Sequence, residues 1–214
     1  MKMQWLWAIV LMLGGLTAAR ADSPLTSVRF AEAYRDLSIV TAADSYGVLD
    51  PKMAGFLSDQ RMPIDAKAAL CNALGWDIAG KHNAVLFRCW LALKYGVVPE
   101  QLTTADMSAD EVFALGYLTA LDDYFLPAPA LELLAEARRR NPQSQTVALV
   151  ASLAEAQLDL NENRWGRIWP RADRILHDVT LRQDMRPDAV ANFVDYLLLY
   201  RVDAETGGSA PAGK

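Results

Sequence analysis

The sequence is poor in the residues from which metal and redox sites are built. It has two cysteines and two histidines in 214 residues, and neither pair stands in a ligand motif of tight spacing. A glycine-rich phosphate loop and a Gly-x-Ser-x-Gly nucleophile elbow are both missing. The sequence therefore predicts no metal site, no cofactor and no catalytic residue.

Basic residues are also fewer than acidic ones. Lysine and arginine number 21 against 26 acidic residues, and the net charge is −5. Nucleic-acid binding depends on neutralising phosphates with basic side chains, and adsorption to anionic membranes depends on the same charges. We expect neither nucleic acid nor an anionic membrane surface as the partner of this chain.

Long apolar runs are missing after the first 21 residues, and those residues have the order of a secretory signal peptide. Lys2 precedes an apolar stretch from Trp5 to Leu16, which is followed by the small-x-small sequence Ala19-Arg20-Ala21. The stretch is shorter than the roughly 20 residues of a transmembrane helix. We expect cleavage after Ala21, no stable membrane insertion afterwards, and a periplasmic or secreted protein of a Gram-negative bacterium.

The chain that remains after cleavage has the length of a single domain. Loss of the two basic residues of the signal peptide leaves 19 basic against 26 acidic side chains, a net charge of −7. We predict one all-helical domain over 22–203. A disordered tail should follow over 204–214, where Gly, Ala and Ser leave no large side chain to bury.

Apolar residues recur with the helical period through nearly the whole of this domain, and no segment has a convincing strand pattern. Ser108 and Glu111 form a capping box, so a helix should begin there. Pro170 falls inside another helical pattern and should kink that helix or start it afresh. The predicted fold class is all-α, with helices over 26–41, 51–59, 63–76, 83–96, 108–121, 128–140, 145–160, 164–179 and 187–202.

A short sequence recurs at an offset of 41 residues. Ala73-Leu74-Gly75-Trp76 returns as Ala114-Leu115-Gly116-Tyr117, and each copy is followed by a second helix and a proline, Pro99 or Pro142. This arrangement resembles the tetratricopeptide repeat, whose unit has Leu-Gly on its first helix, alanines on its second and a closing proline. The second copy has the full set, namely Leu115, Gly116, Ala130, Ala137 and Pro142.

The first copy has Phe87 and Lys94 where the repeat family prefers alanine, and a weaker third unit runs from Gln145 through Ala172. The resemblance covers about half of the exported chain. It implies stacked helical hairpins with a concave surface that holds a protein or peptide. The residues themselves are equally compatible with an irregular helical bundle.

The two cysteines lie at equal distances along the chain from Gly80. If helices 64–76 and 83–95 run antiparallel about that turn, Cys71 and Cys89 stand at matching heights. In an oxidising compartment this predicts a disulfide that staples the hairpin. The alternative is two buried thiols that never meet.

One segment combines aromatic and basic residues in an otherwise acidic protein. Its two tryptophans are spaced i, i+4, and its arginines follow one another at spacings of three, four and three, so a continuous helix would carry them as a stripe. Arginine and tryptophan are frequent at binding hot spots. The segment is the predicted binding site, for an acidic peptide, a polyanionic glycan or a carboxylate-rich surface, and comprises Arg164, Trp165, Arg167, Trp169, Arg171 and Arg174. The alternative is that the tryptophans fill the core while the arginines are solvated.

Carboxylates cluster at Asp122-Asp123 and at Glu132 with Glu136. Glu132 and Glu136 are one helical turn apart, and Arg140 follows Glu136 by four residues. This spacing indicates a solvated face with an ion pair rather than the two converging acids of a glycosidase.

Two classes of function remain. The first is an exported helical adaptor that holds a protein or peptide partner, as an envelope assembly factor or an immunity-type protein would. The second is a periplasmic hydrolase acting on an envelope or cell-wall polymer, which needs a cleft with converging acids. A subunit that only homo-oligomerises through apolar helical faces is a third alternative.

Overall fold

The computed structural model describes residues 23–206, and this part of the chain is helical with no β-strand. The all-α fold predicted from the sequence is confirmed. The predicted signal peptide and residues 207–214 lie outside the described residues. The α-helices are α1 Pro24–Ser27, α2 Ser38–Tyr46, α3 Pro51–Ser58, α4 Ile64–Leu74, α5 Asn83–Tyr95, α6 Ala109–Asp122, α7 Ala128–Arg140, α8 Gln145–Asn161, α9 Ile168–Leu176, α10 Pro187–Leu197 and α11 Arg201–Thr206, with 3-10 turns at Phe30–Tyr34, Trp165–Arg167 and Leu198–Tyr200.

Local signals in the sequence set several of these boundaries. Ser108 accepts a hydrogen bond from the backbone N–H of Glu111, whose carboxylate accepts one from the N–H of Ser108, so the predicted capping box is confirmed. Asp50 caps α3 through the N–H of Met53 at 2.7 Å. Pro170 lies in the first turn of α9, where its missing N–H costs nothing, so the helix starts afresh as one of the two expected outcomes.

The helix predicted over 26–41 is wrong. The segment folds as α1, a 3-10 turn and the start of α2, with extended backbone at Leu37. The physical reason is competition for backbone groups: the Asn72 side chain donates to the carbonyl of Val28 and accepts from the N–H of Ala31, both at 2.9 Å. Arg186 binds the carbonyl of Ala33 at 2.8 Å in the same way. These bonds replace the ones that a continuous helix would make.

The C-terminal boundary is also different from the prediction. The predicted disordered tail begins at residue 204, but α11 keeps the chain helical through Thr206.

Three central helices point the same way. Lys67 of α4 binds Asp110 of α6 at 2.5 Å and Asn72 binds Tyr117 at 2.9 Å, so contacts advance together along the two helices and α4 and α6 are parallel. Helix α7 returns antiparallel between α6 and α8, because the connections on either side of it are short. The C-terminal ends of α4, α6 and α8 therefore lie at one end of the fold.

The two Leu-Gly pairs have different roles. Gly116 lies inside α6, where an added Cβ would stand 3.0 Å from Cβ of Leu133, so the small residue allows α7 to approach closely. Gly75 instead terminates α4 with a φ of +65°. The repeat in the sequence is thus not a repeat in local structure at this position, although α6 with α7 and α8 with α9 pack as hairpins.

Candidate binding site

Three loops meet at the end of the fold where the parallel helices finish. Lys81, between α4 and α5, donates from its ammonium group to the carbonyl of Gly47 at 2.9 Å and to that of Leu74. Its backbone N–H donates to the carbonyl of Asp122 at 3.0 Å. One lysine therefore joins the ends of α2, α4 and α6, where helix carbonyls lack partners and attract a cation.

Buried polar groups fix the same junction. One carboxylate oxygen of Asp122 accepts from the N–H of Ala84 at 2.7 Å and so caps α5. Asn83 accepts from the N–H of Leu49 at 2.8 Å and ties down the loop before α3. Burial raises the pKa of Asp122 and lowers the pKa of Lys81, because both groups lose contact with water and the uncharged form of each is favoured.

An exposed apolar surface covers this junction, and we call it the aromatic rim. The Trp76 and Tyr124 rings meet edge to face at 5.0 Å, and the Tyr124 and Phe125 rings lie 4.2 Å apart. Trp76 is 41% exposed, Phe125 54%, Leu126 68% and Ile78 76%. The aromatic rim consists of Trp76, Ile78, Tyr124, Phe125 and Leu126. Large apolar side chains grouped on a surface mark interaction sites.

A cavity of about 430 Å³ opens beside the aromatic rim. Its walls come from the N-terminal segment on one side and from α2 and α4 on the other, and Trp76 belongs to both the cavity and the rim. The apolar lining is formed by Leu25, Ala31, Val40, Ala73, Trp76 and Leu121. This volume falls in the range of about 300–1,000 Å³ that ligand pockets occupy.

The mouth of the cavity carries charged side chains of both signs. Arg29 and Arg35 both lie 3.6 Å from Glu32 on the N-terminal segment, and all three are exposed. Asp44 faces the cavity from α2. The cavity thus has an apolar interior and a mixed polar mouth, the arrangement expected where a large side chain is anchored.

The Arg/Trp segment does not form the single helical stripe that its spacing predicted, because a 3-10 turn at Trp165–Arg167 precedes α9. Arg164 binds Asp159 at 2.7 Å and pairs with Glu162, while Arg171 binds Glu155 at 2.6 Å and pairs with Asp159. Two of the four arginines are therefore engaged by acids of α8 and the turn after it.

The remaining members of the segment divide between core and solvent. Trp165 and Trp169 are half-buried and pack against the core, and the Trp165 ring meets Tyr200 edge to face at 6.5 Å. Arg167 and Arg174 are exposed. The structure thus keeps the six residues in one region but brings only two arginines to the surface, and a binding role for the segment stays a prediction.

The predicted disulfide does not form, and both cysteines are free. Cys71 is fully buried in α4, where burial raises the pKa of its thiol, whereas Cys89 is exposed on α5. The physical reason is packing: α5 makes its main contacts with α6 and α3 rather than lying along α4. Helices α4 and α5 therefore do not form the predicted hairpin, and Cys71 and Cys89 do not stand at matching heights on it.

A buried polar cluster lies at the opposite end of the fold. Glu111 is fully buried and accepts hydrogen bonds from Lys94 at 2.6 Å, from Tyr95 at 2.7 Å and from Ser58. Burial alone would raise the pKa of Glu111, but these bonds outweigh it and lower the pKa to about 2. Lys94 has a raised pKa and stays protonated, so it is no base for the Ser58 hydroxyl. The cluster holds α3, α5 and α6 together.

The other titratable candidates have local roles. Glu136 binds Arg140 at 2.6 Å and Arg139 at 2.7 Å, which confirms the predicted ion pair, and those bonds lower the pKa of Glu136 to about 2. His82 and His177 are exposed, in a loop and at the end of α9. Within residues 23–206 no group of three or more His, Cys, Asp or Glu side chains is arranged to hold a metal ion. Over the same range, no helix is both long enough and apolar enough to cross a bilayer.

The protein is thus an all-α protein with an apolar cavity and an aromatic rim at the end where its parallel helices finish. Comparison of the chain with protein-family models, with curated proteins and with solved structures finds no match. The resemblance to the tetratricopeptide repeat therefore stays a prediction.

Proposed function

We propose that this protein is an exported helical binding protein that holds a protein or peptide partner at the cavity and the aromatic rim. The observation that carries the proposal is the continuity of the two surfaces through Trp76. A partner can insert one large side chain into the cavity and cover the rim with neighbouring residues. Aromatic side chains beside a pocket are the usual anchors of such interfaces.

The alternative of a hydrolase has less support. Three carboxylates have a pKa lowered to about 2: Glu111 is buried and hydrogen-bonded, Glu136 is paired with two arginines, and Asp59 is bound by Arg61. None of them suits a general acid, which needs a raised pKa in a cleft. Asp122 does have a raised pKa, but its carboxylate caps α5 beneath the loops.

An affinity-capture experiment tests the proposal. The full chain is used as bait against envelope extract, beside a Phe125→Ser/Leu126→Ser variant and a Leu93→Ser/Val98→Ser control. All four residues are exposed and apolar, but Leu93 and Val98 lie away from the aromatic rim, at the far end of α5 and just beyond it. We expect a stoichiometric partner that the control retains and the rim variant loses. Retention by both variants would reject the rim as the site, and no partner for the wild-type protein would reject the binding function.

A further inference from the structure

Exposed acids surround the aromatic rim. Asp77 follows Trp76 in the chain, and Asp123 precedes Tyr124. Both are exposed. Because the Trp76 and Tyr124 rings are in contact, the acids lie around one apolar surface rather than on separate faces.

Little positive charge offsets these acids on the rim side. The ammonium group of Lys81 points inward to the carbonyls of Gly47 and Leu74, and Lys52 is exposed in the first turn of α3. The C-terminal ends of helices add negative charge on the side of the rim. The Lys81 ammonium group offsets the ends of α2 and α4, but α6 and α8 also finish here, as shown by the Lys81 N–H at the Asp122 carbonyl and by the bond of 2.9 Å from Asn161 to the carbonyl of Phe125. Helix C-termini carry partial negative charge.

The charges of the N-terminal wall balance one another. Arg29 and Arg35 flank Glu32, and Asp44 faces them from α2 across the cavity. The cavity mouth therefore has no net charge, and the acidic charge of the rim comes from Asp77 and Asp123.

We infer that the partner segment is a basic, apolar peptide, with large apolar side chains for the rim and cavity and lysine or arginine side chains opposite Asp77 and Asp123. This inference rests on the proposed function and specifies the chemistry of the partner. An apolar surface ringed by acids pairs with the opposite charge and is repelled by an anionic lipid leaflet. The same net acidity rules against a polyanionic occupant at this surface.

Two synthetic peptides test the inference by fluorescence anisotropy with the full chain. Both carry leucine and phenylalanine on one helical face, and the other face carries lysine in one peptide and glutamate in the other. We expect the lysine peptide to bind about tenfold more tightly at low salt, since each exposed charge pair contributes modestly. The difference should shrink at about 1 M salt, where the Debye length is about 3 Å.

Matched variants assign the effect to the rim. The Asp77→Asn/Asp123→Asn variant should lose the preference for lysine, because the acidic charge is removed while asparagine keeps an acceptor for the loop hydrogen bonds of both residues. The Glu100→Gln/Asp188→Asn control changes the net charge equally at exposed positions toward the other end of the fold and should keep the preference.

Three results would overturn the inference. They are equal or tighter binding of the glutamate peptide, binding of neither peptide, and binding of the protein to vesicles of anionic phospholipid that becomes tighter in the Asp77→Asn/Asp123→Asn variant. The capture experiment tests the proposed function separately from the peptide experiment. A partner that is captured through the rim but lacks a basic segment would refute the inference alone.

Discussion

Glu111 shows how a buried charge can be fixed by its neighbours rather than used for chemistry. Its carboxylate receives hydrogen bonds from three side chains and from the N–H of Ser108, and none of its surface reaches solvent. An ionised group in that position is stable only while those donors stay in place. Loss of the charge should therefore weaken the contact of α6 with α3 and α5.

We predict that Glu111→Gln lowers the free energy of unfolding by about 1–3 kcal/mol at pH 7. The folded pKa of about 2 lies below the ordinary value of 4.5, so the stabilisation is complete above about pH 4.5 and is lost as the pH falls toward 2. Urea unfolding at several pH values should show wild type and variant converging in acid. Glu132→Gln, at an exposed position, is the control. A constant difference between wild type and Glu111→Gln at all pH values would contradict the assignment.

The free cysteines give a second residue-level prediction. A thiol reagent added to the native protein without reductant should modify Cys89, which is exposed, and leave Cys71, which is buried with a raised pKa. Both should react after unfolding in denaturant. Mass spectrometry of the labelled chain reads the result, and protection of both thiols until reduction would restore the disulfide that the sequence suggested.

At the scale of helices, Gly116 of α6 is the position where α7 packs closely. An added Cβ would lie 3.0 Å from Leu133 and 3.1 Å from Leu134. We predict that Gly116→Ala destabilises the protein by about 1–3 kcal/mol by overpacking, although alanine is the better helix former.

Gly55→Ala is the matched control. Gly55 lies inside α3, and an added Cβ would meet its nearest neighbour, Trp90, at 4.0 Å, an ordinary contact. This substitution should stabilise the protein by about 0.5–1 kcal/mol. Thermal unfolding of the two variants measures both effects, and equal shifts in one direction would show that α6 and α7 are not closely packed there.

The sequence predicted helices well where local signals and burial agree, as in α7 and in the capping box of α6. It failed where tertiary hydrogen bonds decide. Phe30, Ala33, Tyr34 and Leu37 have helical spacing, but Asn72 and Arg186 take up the backbone groups that a helix would need. The predicted stripe of four arginines on one helical face is wrong for a similar reason, since acids of α8 bind Arg164 and Arg171.

At the scale of the molecule, the N-terminal segment is held by a residue from the far end of the chain. Arg186 binds Asp36 at 2.5 Å and the Ala33 carbonyl at 2.8 Å, and its guanidinium stacks on the Tyr34 ring at 4.4 Å. These contacts fix the segment that forms one wall of the cavity.

We predict that Arg186→Ala lowers the free energy of unfolding by about 1–2 kcal/mol. Hydrogen exchange should also become faster in the segment that carries Ala33 and Tyr34. Arg182→Ala removes an exposed arginine with a local partner, Asp184, and should change neither quantity appreciably. Unchanged exchange in Arg186→Ala would show that the N-terminal segment is held by its buried side chains alone.

The candidate site lay beyond what the sequence could indicate, because it is assembled from loops that meet only through the parallel helix ends. Tyr124, Phe125 and Leu126 were an apolar interruption between two helices, and the exposed Ile78 followed Trp76 in a turn. These were local signals, but nothing in their spacing showed that Lys81 and Asp122 bring the two loops together.

The most direct test of binding at the cavity and rim is the dissociation constant of the captured partner for Trp76→Ala, compared with Leu93→Ala. Trp76 belongs to both surfaces, whereas Leu93 is 82% exposed at the other end of the fold. The account predicts at least about tenfold weaker binding for Trp76→Ala and wild-type affinity for Leu93→Ala. Wild-type affinity in a folded Trp76→Ala variant would contradict it.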